Sequence, residues 1–373
     1  MNNLKKIIFW QKFVSPHISY LVDQLAAKGI EAILITEKLI TSDRKQLGWA
    51  KPKLVYAKSI NIKNYNNKLT SKFFLKESFN ICQGIFFNGF IRLVQKKLRK
   101  NNLNQWLLME KINDSGYVRI IKNFFYSCLF FLWKKKINGI LAIGNGAGKW
   151  YEKRGFDKNK IFPFAYFLNE SILNTASNSY KNPIFKFVFV GNLIKRKNVI
   201  LLLEALVLLK KNKKFQLQII GNGPLIKDLI NYAKKILPDS VQWTNALPMK
   251  AIPKKIADAD CLVLPSFFDG WGAVVSESLM VGTPVICSDG CGSSIIVKSS
   301  KFGYVFKNND VEDLYLKLKK IMNKGKISRK KRTVLKRWAR CLGVKSGADY
   351  LIKILAHASK IEKKPTPPWE TKR

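Results

Sequence analysis

Apolar positions along this chain fall into two alternating patterns. Short, nearly continuous apolar runs suit strands buried on both faces, and longer stretches with helical spacing follow them. Residues 6–10 (KIIFW) predict a strand, residues 18–28 a helix stopped by Gly29, and residues 32–36 a second strand, a β-α-β opening. Residues 137–143 predict another strand, which runs through Gly144-Asn145-Gly146-Ala147-Gly148 into a helical segment over 149–154. That glycine cluster lacks the Lys-Ser/Thr of a phosphate-binding P-loop and reads as a tight strand-to-helix turn. From residue 185 the alternation is regular: strands over 185–190, 216–220, 261–264 and 285–287, helices over 199–209, 225–236 and 273–280, continuing to about residue 322. Strand and helix in strict succession predict parallel sheets covered on both faces. The polar, turn-rich residues 169–183 predict a linker, giving expected domains over 1–178 and 182–345, with a helix and tail over 346–373.

Within this pattern, residues 265–289 (PSFFDGWGAVVSESLMVGTPVICSD) hold the most specific chemistry. A strand end is followed by a glycine-bearing loop, a short helix and another strand. Gly270 and Gly272 remove side chains where backbone must approach a ligand, and the amides from there to Ala273 open the helix as an anion site suited to a diphosphate. Asp269 and Glu277 bracket this turn with seven residues between them. Glu277, inside the helix, can reach a ribose diol, and Asp269, in the loop, sugar hydroxyls. Each acid alone reads equally well as a turn residue or a complement to the helix dipole. Upstream, Lys195, Arg196 and Lys197 lie between a strand and a helix start, where clustered cations oppose the dipole unless an anion binds.

These residues resemble the retaining glycosyltransferases of family 4. Glu277 matches the second glutamate of that family's paired acids, and Gly282, Pro284 and Val285 match the trailing G-x-P-V motif. Asp269 stands where the family has its first glutamate, one methylene shorter, and Asn192 stands where it has an arginine. Lys197 matches its diphosphate-binding lysine, and Arg196, with a planar fork suited to phosphate oxygens, is a substitute for that arginine. Gly221 and Gly223 match a G-x-G-P turn that shapes the nucleotide pocket, with base contacts expected near residues 243–247. The resemblance implies a GT-B α/β fold, two Rossmann-like doubly wound domains facing across a crevice, with the acceptor on the first and a nucleotide sugar on the second. It implies that the segment near Tyr350 returns to the first domain. The activity implied is transfer of a sugar from a UDP- or GDP-sugar, with retention and without a metal, to a saccharide or lipid-linked saccharide in bacterial surface polysaccharide or lipopolysaccharide synthesis. Asp269, Glu277 and, at the end of the first strand, His17 are the expected catalytic residues, and no cofactor beyond the donor is expected. Glu110 and Asp114 suit either acceptor hydroxyls or helix caps. A sugar-nucleotide epimerase of the same architecture remains open, as does a transferase that binds donor without turnover.

Composition changes the partners more than the fold. The 373 residues, 47% hydrophobic, are enough for two cores. A formal charge of +43 will attract anions: nucleic acid, an acidic leaflet or phosphorylated substrates. No recognisable RNA-binding module accompanies that charge, so specific nucleic-acid recognition is not expected, and a basic nucleic-acid-binding protein stands as the non-enzyme alternative on charge alone. Six cysteines without C-x-x-C spacing and two histidines, His17 and His357, offer no zinc set; the cysteines read as buried hydrophobes of a reducing, cytoplasmic compartment. The N-terminus has no secretory pattern. Residues 124–133 (FFYSCLFFLW) are too short to span a bilayer but are flanked by Arg119, Lys122 and Lys134-Lys135-Lys136. Two readings of that helix stand side by side: one lying at an anionic interface, giving peripheral contact with the inner face of the cell membrane, and one buried in the first domain.

Overall fold

The computed structural model describes residues 6–46, 48–62, 73–86, 89–112, 119–177, 179, 183–210, 214–359 and 363–371. Asp114 lies outside them. The chain divides into two compact units, one made of Met1–Ser42, Lys51–Leu168 and Gly343–Thr371, the other of Asp43–Ala50, Asn169–Leu342 and Lys372–Arg373.

In the first unit the described strands are β1 (Lys6–Phe13), β2 (Glu31–Lys38), β3 (Lys58–Asn61), β4 (Ser78–Gln83), β5 (Gln105–Glu110), β6 (Gly139–Ile143) and β7 (Ile161–Phe164). They form one parallel sheet in the order β3-β2-β1-β4-β5-β6-β7. The unbroken apolar run of β1 is explained by its place: it lies between β2 and β4, and Ile7 to Trp10 are fully buried. Beside it, β4 carries polar side chains into the core because they satisfy one another. Asn80 Oδ1 accepts from the Trp10 indole at 3.0 Å, and Asn80 Nδ2 donates to the Asn104 carbonyl at 3.1 Å.

The last helix, Val344–Ala358, packs in this unit against the helix Pro16–Ala27, and Lys28 pairs with Asp349 at 2.7 Å. The Tyr350 hydroxyl donates to the Pro163 carbonyl at 3.0 Å, and its ring stacks on Phe164. At Gly347 a Cβ would stand 2.3 Å from the Phe167 ring, so only glycine lets the helix come this close.

In the second unit the described strands are β8 (Phe185–Val190), β9 (Phe215–Ile220), β10 (Val241–Thr244), β11 (Cys261–Leu264), β12 (Val285–Ser288) and β13 (Gly303–Phe306). Their order, β10-β9-β8-β11-β12-β13, again all parallel, is that of the dinucleotide-binding doubly wound sheet. The four residues of β11 are fully buried, as a central parallel strand covered on both faces requires. Of the six cysteines, none disulfide-bonded, five are buried and Cys128 is exposed.

Candidate active site

A doubly wound sheet opens a crevice at the carboxyl ends of the strands where its order reverses. In the second unit that point lies between β8 and β11, so the loops leaving Val190 and Leu264 flank it. Both loops are the ones singled out by charge and glycine content.

The two loops are joined. Phe267 N donates to the Arg196 carbonyl at 2.9 Å, and the Arg196 guanidinium donates to the Phe268 carbonyl at 2.7 Å. Arg196 also lies 3.3 Å from one carboxylate oxygen of Asp269, while Lys197 Nζ pairs with the other. Two cations and an acid far apart in sequence thus form one cluster, in which Lys197 and Asp269 are largely buried and Arg196 is exposed. Lys195, Arg196 and Lys197 form a 3-10 turn ended by Asn198 in the left-handed region (φ 50°), immediately before the helix Val199–Lys210.

Beyond Asp269 the loop runs alongside residues 290–293. Asp269 N donates to the Gly290 carbonyl at 3.1 Å, Gly292 N to the Asp269 carbonyl at 2.8 Å, and Ser293 N to the Trp271 carbonyl at 2.8 Å. Gly270 is buried in this ribbon. Gly272 turns the chain into the helix Ala273–Met280 with φ 83°. A Cβ there would sit 2.9 Å from Leu264 and 3.3 Å from Ser293 Oγ, so both conformation and space require glycine. The helix has no side-chain N-cap; the Val275 amide turns back to the Gly272 carbonyl at 2.9 Å, which leaves the Ala273 and Val274 amides without intrahelical acceptors. Beside them Ser293 Oγ is buried with no hydrogen-bond partner. Ser293 was not singled out in the sequence; the signal was the run of small residues Gly290-Cys291-Gly292-Ser293-Ser294 after β12.

Glu277 follows in the second turn of this helix. It is half-buried, no described residue donates to its carboxylate, and burial pushes its pKa up to about 7. Neighbouring Ser276 is instead occupied, accepting from the Trp271 indole at 3.0 Å. An unsatisfied carboxyl in a desolvated setting gains from hydroxyl donors that a ligand brings.

The loop after β9 supplies the remaining wall. Gly191 N donates to the Ile220 carbonyl, Gly221 N to the Thr244 carbonyl and Leu193 N to the Asn222 carbonyl, at 2.9–3.0 Å. At Gly221 a Cβ would fall 1.9 Å from the Gly191 carbonyl oxygen, and at Gly223 2.5 Å from that of Leu193. These glycines therefore serve backbone-to-backbone packing of two loops at the strand ends. Thr244, at the end of β10, ties in the segment expected near the base.

In the first unit His17 is the second residue of its helix, after Pro16, and its ring stacks on Tyr166 at 5.5 Å. The Tyr166 hydroxyl donates to Glu110 Oε1 at 2.8 Å, and the Glu110 carbonyl accepts from Tyr151 at 2.7 Å. Glu110 and His17, read separately from the sequence, are thus linked through Tyr166. That residue gave no sequence signal, since it lies in an apolar run after β7.

Residues 174–340 match the family described as Glycosyl transferases group 1. That match lies within the second unit and covers less than half of the chain, and the two parallel-sheet units are those of the GT-B fold. A relative from Escherichia coli, the UDP-Gal:alpha-D-GlcNAc-diphosphoundecaprenol alpha-1,3-galactosyltransferase, is 30% identical over 155 residues, 39% of this chain and 37% of its own. The poly(ribitol-phosphate) alpha-N-acetylglucosaminyltransferase of Staphylococcus aureus is 25% identical over 66% of this chain and 49% of its own. The chain spans less than half the length of either of these curated relatives. Among solved structures, Anabaena HepE in complex with UDP superposes with a TM-score of 0.71 over 94% of this chain and 100% of its own, at 13% identity, a likeness of fold.

Proposed function

We infer that the protein is a glycosyltransferase that moves a sugar from a nucleotide-sugar donor to a saccharide or lipid-linked saccharide acceptor in the assembly of a bacterial surface polysaccharide or lipopolysaccharide. The observation that carries this reading is the joining of Arg196, Lys197 and Asp269 across the switch point, beside an uncapped helix whose second turn holds Glu277. Cations and first-turn amides converge where a diphosphate would lie, and negative charge developing on a departing diphosphate is what such donors stabilise in transfer. Glu277, short of partners, accepts from the ribose diol. Asp269 accepts from hydroxyls of the transferred sugar, and exchanges part of its contact with Lys197 and Arg196 for the donor as the phosphates take up those cations. Retention of configuration and independence from a metal accompany the family reading.

The names of the relatives point the same way, to acceptors carried on a lipid diphosphate or within a cell-surface polymer. A lipid-linked acceptor would set the reaction at the inner face of the cell membrane. On the first unit, the His17–Tyr166–Glu110 set supplies hydroxyl, carboxylate and imidazole groups for a saccharide acceptor.

The test is a calorimetric screen of UDP- and GDP-sugars against the whole protein, followed by mass spectrometry of products with lipid-linked and free saccharides. A donor that binds and is transferred supports the reading; absence of binding by every nucleotide sugar would overturn it. An epimerised donor in the absence of any acceptor would instead assign the rival epimerase activity.

A further inference from the structure

The helix Arg119–Trp133, which joins β5 to β6, is apolar on two opposite sides. One side seats it on the unit's core: Phe130 is fully buried with its ring 5.7 Å from Tyr151 and 6.0 Å from Phe156, and Tyr126 meets Trp150 edge-on at 5.5 Å. The other side faces solvent. Ile120, Ile121, Phe124, Phe131 and Leu132 are 71–79% exposed and Phe125 is 56% exposed, and Cys128 lies between them. Their spacing, i, i+1, i+4, i+5, i+8, i+11 and i+12, puts them in one stripe along the whole length of the helix.

The stripe ends at cations. Lys134 Nζ lies 5.4 Å from the Phe131 ring, and Lys134, Lys135 and Lys160 line a pocket of about 420 Å³ with Gly155, Phe156 and Asp157. Asp157 is the acid in that lining, and its carboxylate accepts from the Asn159 amide of its own turn. The helix itself contains no acid. With 15 residues it is too short to cross a bilayer, and among the described residues no helix is long and apolar enough to do so.

We propose that this face docks the protein on an anionic phospholipid bilayer, with the Ile120–Leu132 stripe entering the acyl boundary and the lysine-lined pocket taking a lipid phosphate. An apolar stripe bordered by lysines, on a chain of charge +43, complements an acidic leaflet. The same charge repels a second copy of the chain. Docking needs no turnover, so a protein without transfer activity tests it equally well.

The experiment is flotation of the full chain with vesicles of phosphatidylcholine and of phosphatidylcholine mixed with phosphatidylglycerol. The bound fraction should be about tenfold or more higher on the anionic vesicles at low salt, and should fall as salt rises. The paired variant Phe124→Ser, Phe131→Ser should lose binding to both kinds of vesicle with an unchanged melting temperature, because both side chains are exposed. The pair Lys134→Gln, Lys135→Gln should lose the preference for anionic vesicles and keep weak binding to neutral ones. Failure of the wild-type chain to float with anionic vesicles, or equal flotation of both variants, would overturn the proposal. So would a dimer in light scattering that the Phe124, Phe131 pair abolishes, or a lysine pocket that binds inorganic phosphate while its variants leave flotation unchanged.

Discussion

At Asp269, one carboxylate meets two cations, so removing it changes the charge of the loop as well as its geometry. In Asp269→Asn, Lys197 and Arg196 lose their anionic partner, and UDP alone should bind on the order of tenfold more tightly while sugar transfer falls; isothermal titration and a transfer assay separate the two effects. Equal or weaker UDP binding in that variant would show that the cations do not face the phosphates. Glu277 makes a pH-dependent prediction. Its folded-state pKa, about 7, lies above the unfolded value near 4.5, so between these pH values the folded protein holds a proton that the unfolded chain has lost. Its contribution to stability is therefore full at low pH and lost as pH rises toward 7. Glu277→Gln should flatten that slope, read as the difference between variant and wild-type denaturation midpoints at pH 5 and pH 8. Donor binding through the carboxylate runs oppositely, strengthening above pH 7, and the variant should lose this dependence together with most of the transfer rate. Glu277 itself was legible in the sequence, because its helix is bounded by glycines on both sides and lies between two buried strands. The pairing of Asp269 with Lys197 was not, because it spans 72 residues and depends on β8 lying beside β11.

At the level of elements, the loops at the ends of β8 and β9 are fixed by closeness of backbone. Gly221→Ala places a methyl on the Gly191 carbonyl and should separate the loops, lowering nucleotide affinity about tenfold or more with little change in the rest of the second unit, as amide exchange would show. Behind the site, Arg332 from the helix Arg329–Ala339 is buried. Its guanidinium donates to the carbonyls of Ala257, Ala259 and Gly282 and to Thr283 and Ser179, and desolvation lowers its pKa. Arg332→Leu should cost about 3–5 kcal/mol in urea unfolding, since it strips several buried acceptors of their donor and takes one of two ion-pair partners, Arg332 and Lys326 among the described residues, away from Asp260. Nothing in the lysine- and arginine-rich stretch around Arg332 sets it apart from its solvated neighbours; only the packing does. The helix Arg119–Trp133 shows the limit in another way. Its composition was legible, but a residue count cannot tell which of two apolar sides meets the core, and the structure buries Phe130 while leaving Phe124 and Phe131 outside. Conversely, the buried runs of β8 and β11 and the helix Ala273–Met280 have the same limits in the structure as in the apolar pattern, because continuous burial on both faces leaves a strand no other way to be written.

For the whole molecule, the excess of lysine makes association with polyanions general, so binding experiments need a salt series before any contact counts as specific. The units are not continuous in sequence. The first is completed by residues 343–371, and residues 43–50 group with the second, where Met249 N donates to the Gly48 carbonyl at 3.0 Å. A chain ending at Leu342 should therefore lose the cooperative melting of the first unit and retain nucleotide binding by the second, seen as loss of one calorimetric transition. The helix Val344–Ala358 carries a further consequence, one of time. It is the lid on Phe164 and Phe167, yet it is synthesised only after every strand of the second unit. On a ribosome the first sheet emerges early and waits, on the order of ten seconds or more, with those rings uncovered. The first sheet therefore depends on residues translated long after its own strands, and a ribosome that stalls before them leaves behind a nascent chain with a sticky, unfinished sheet.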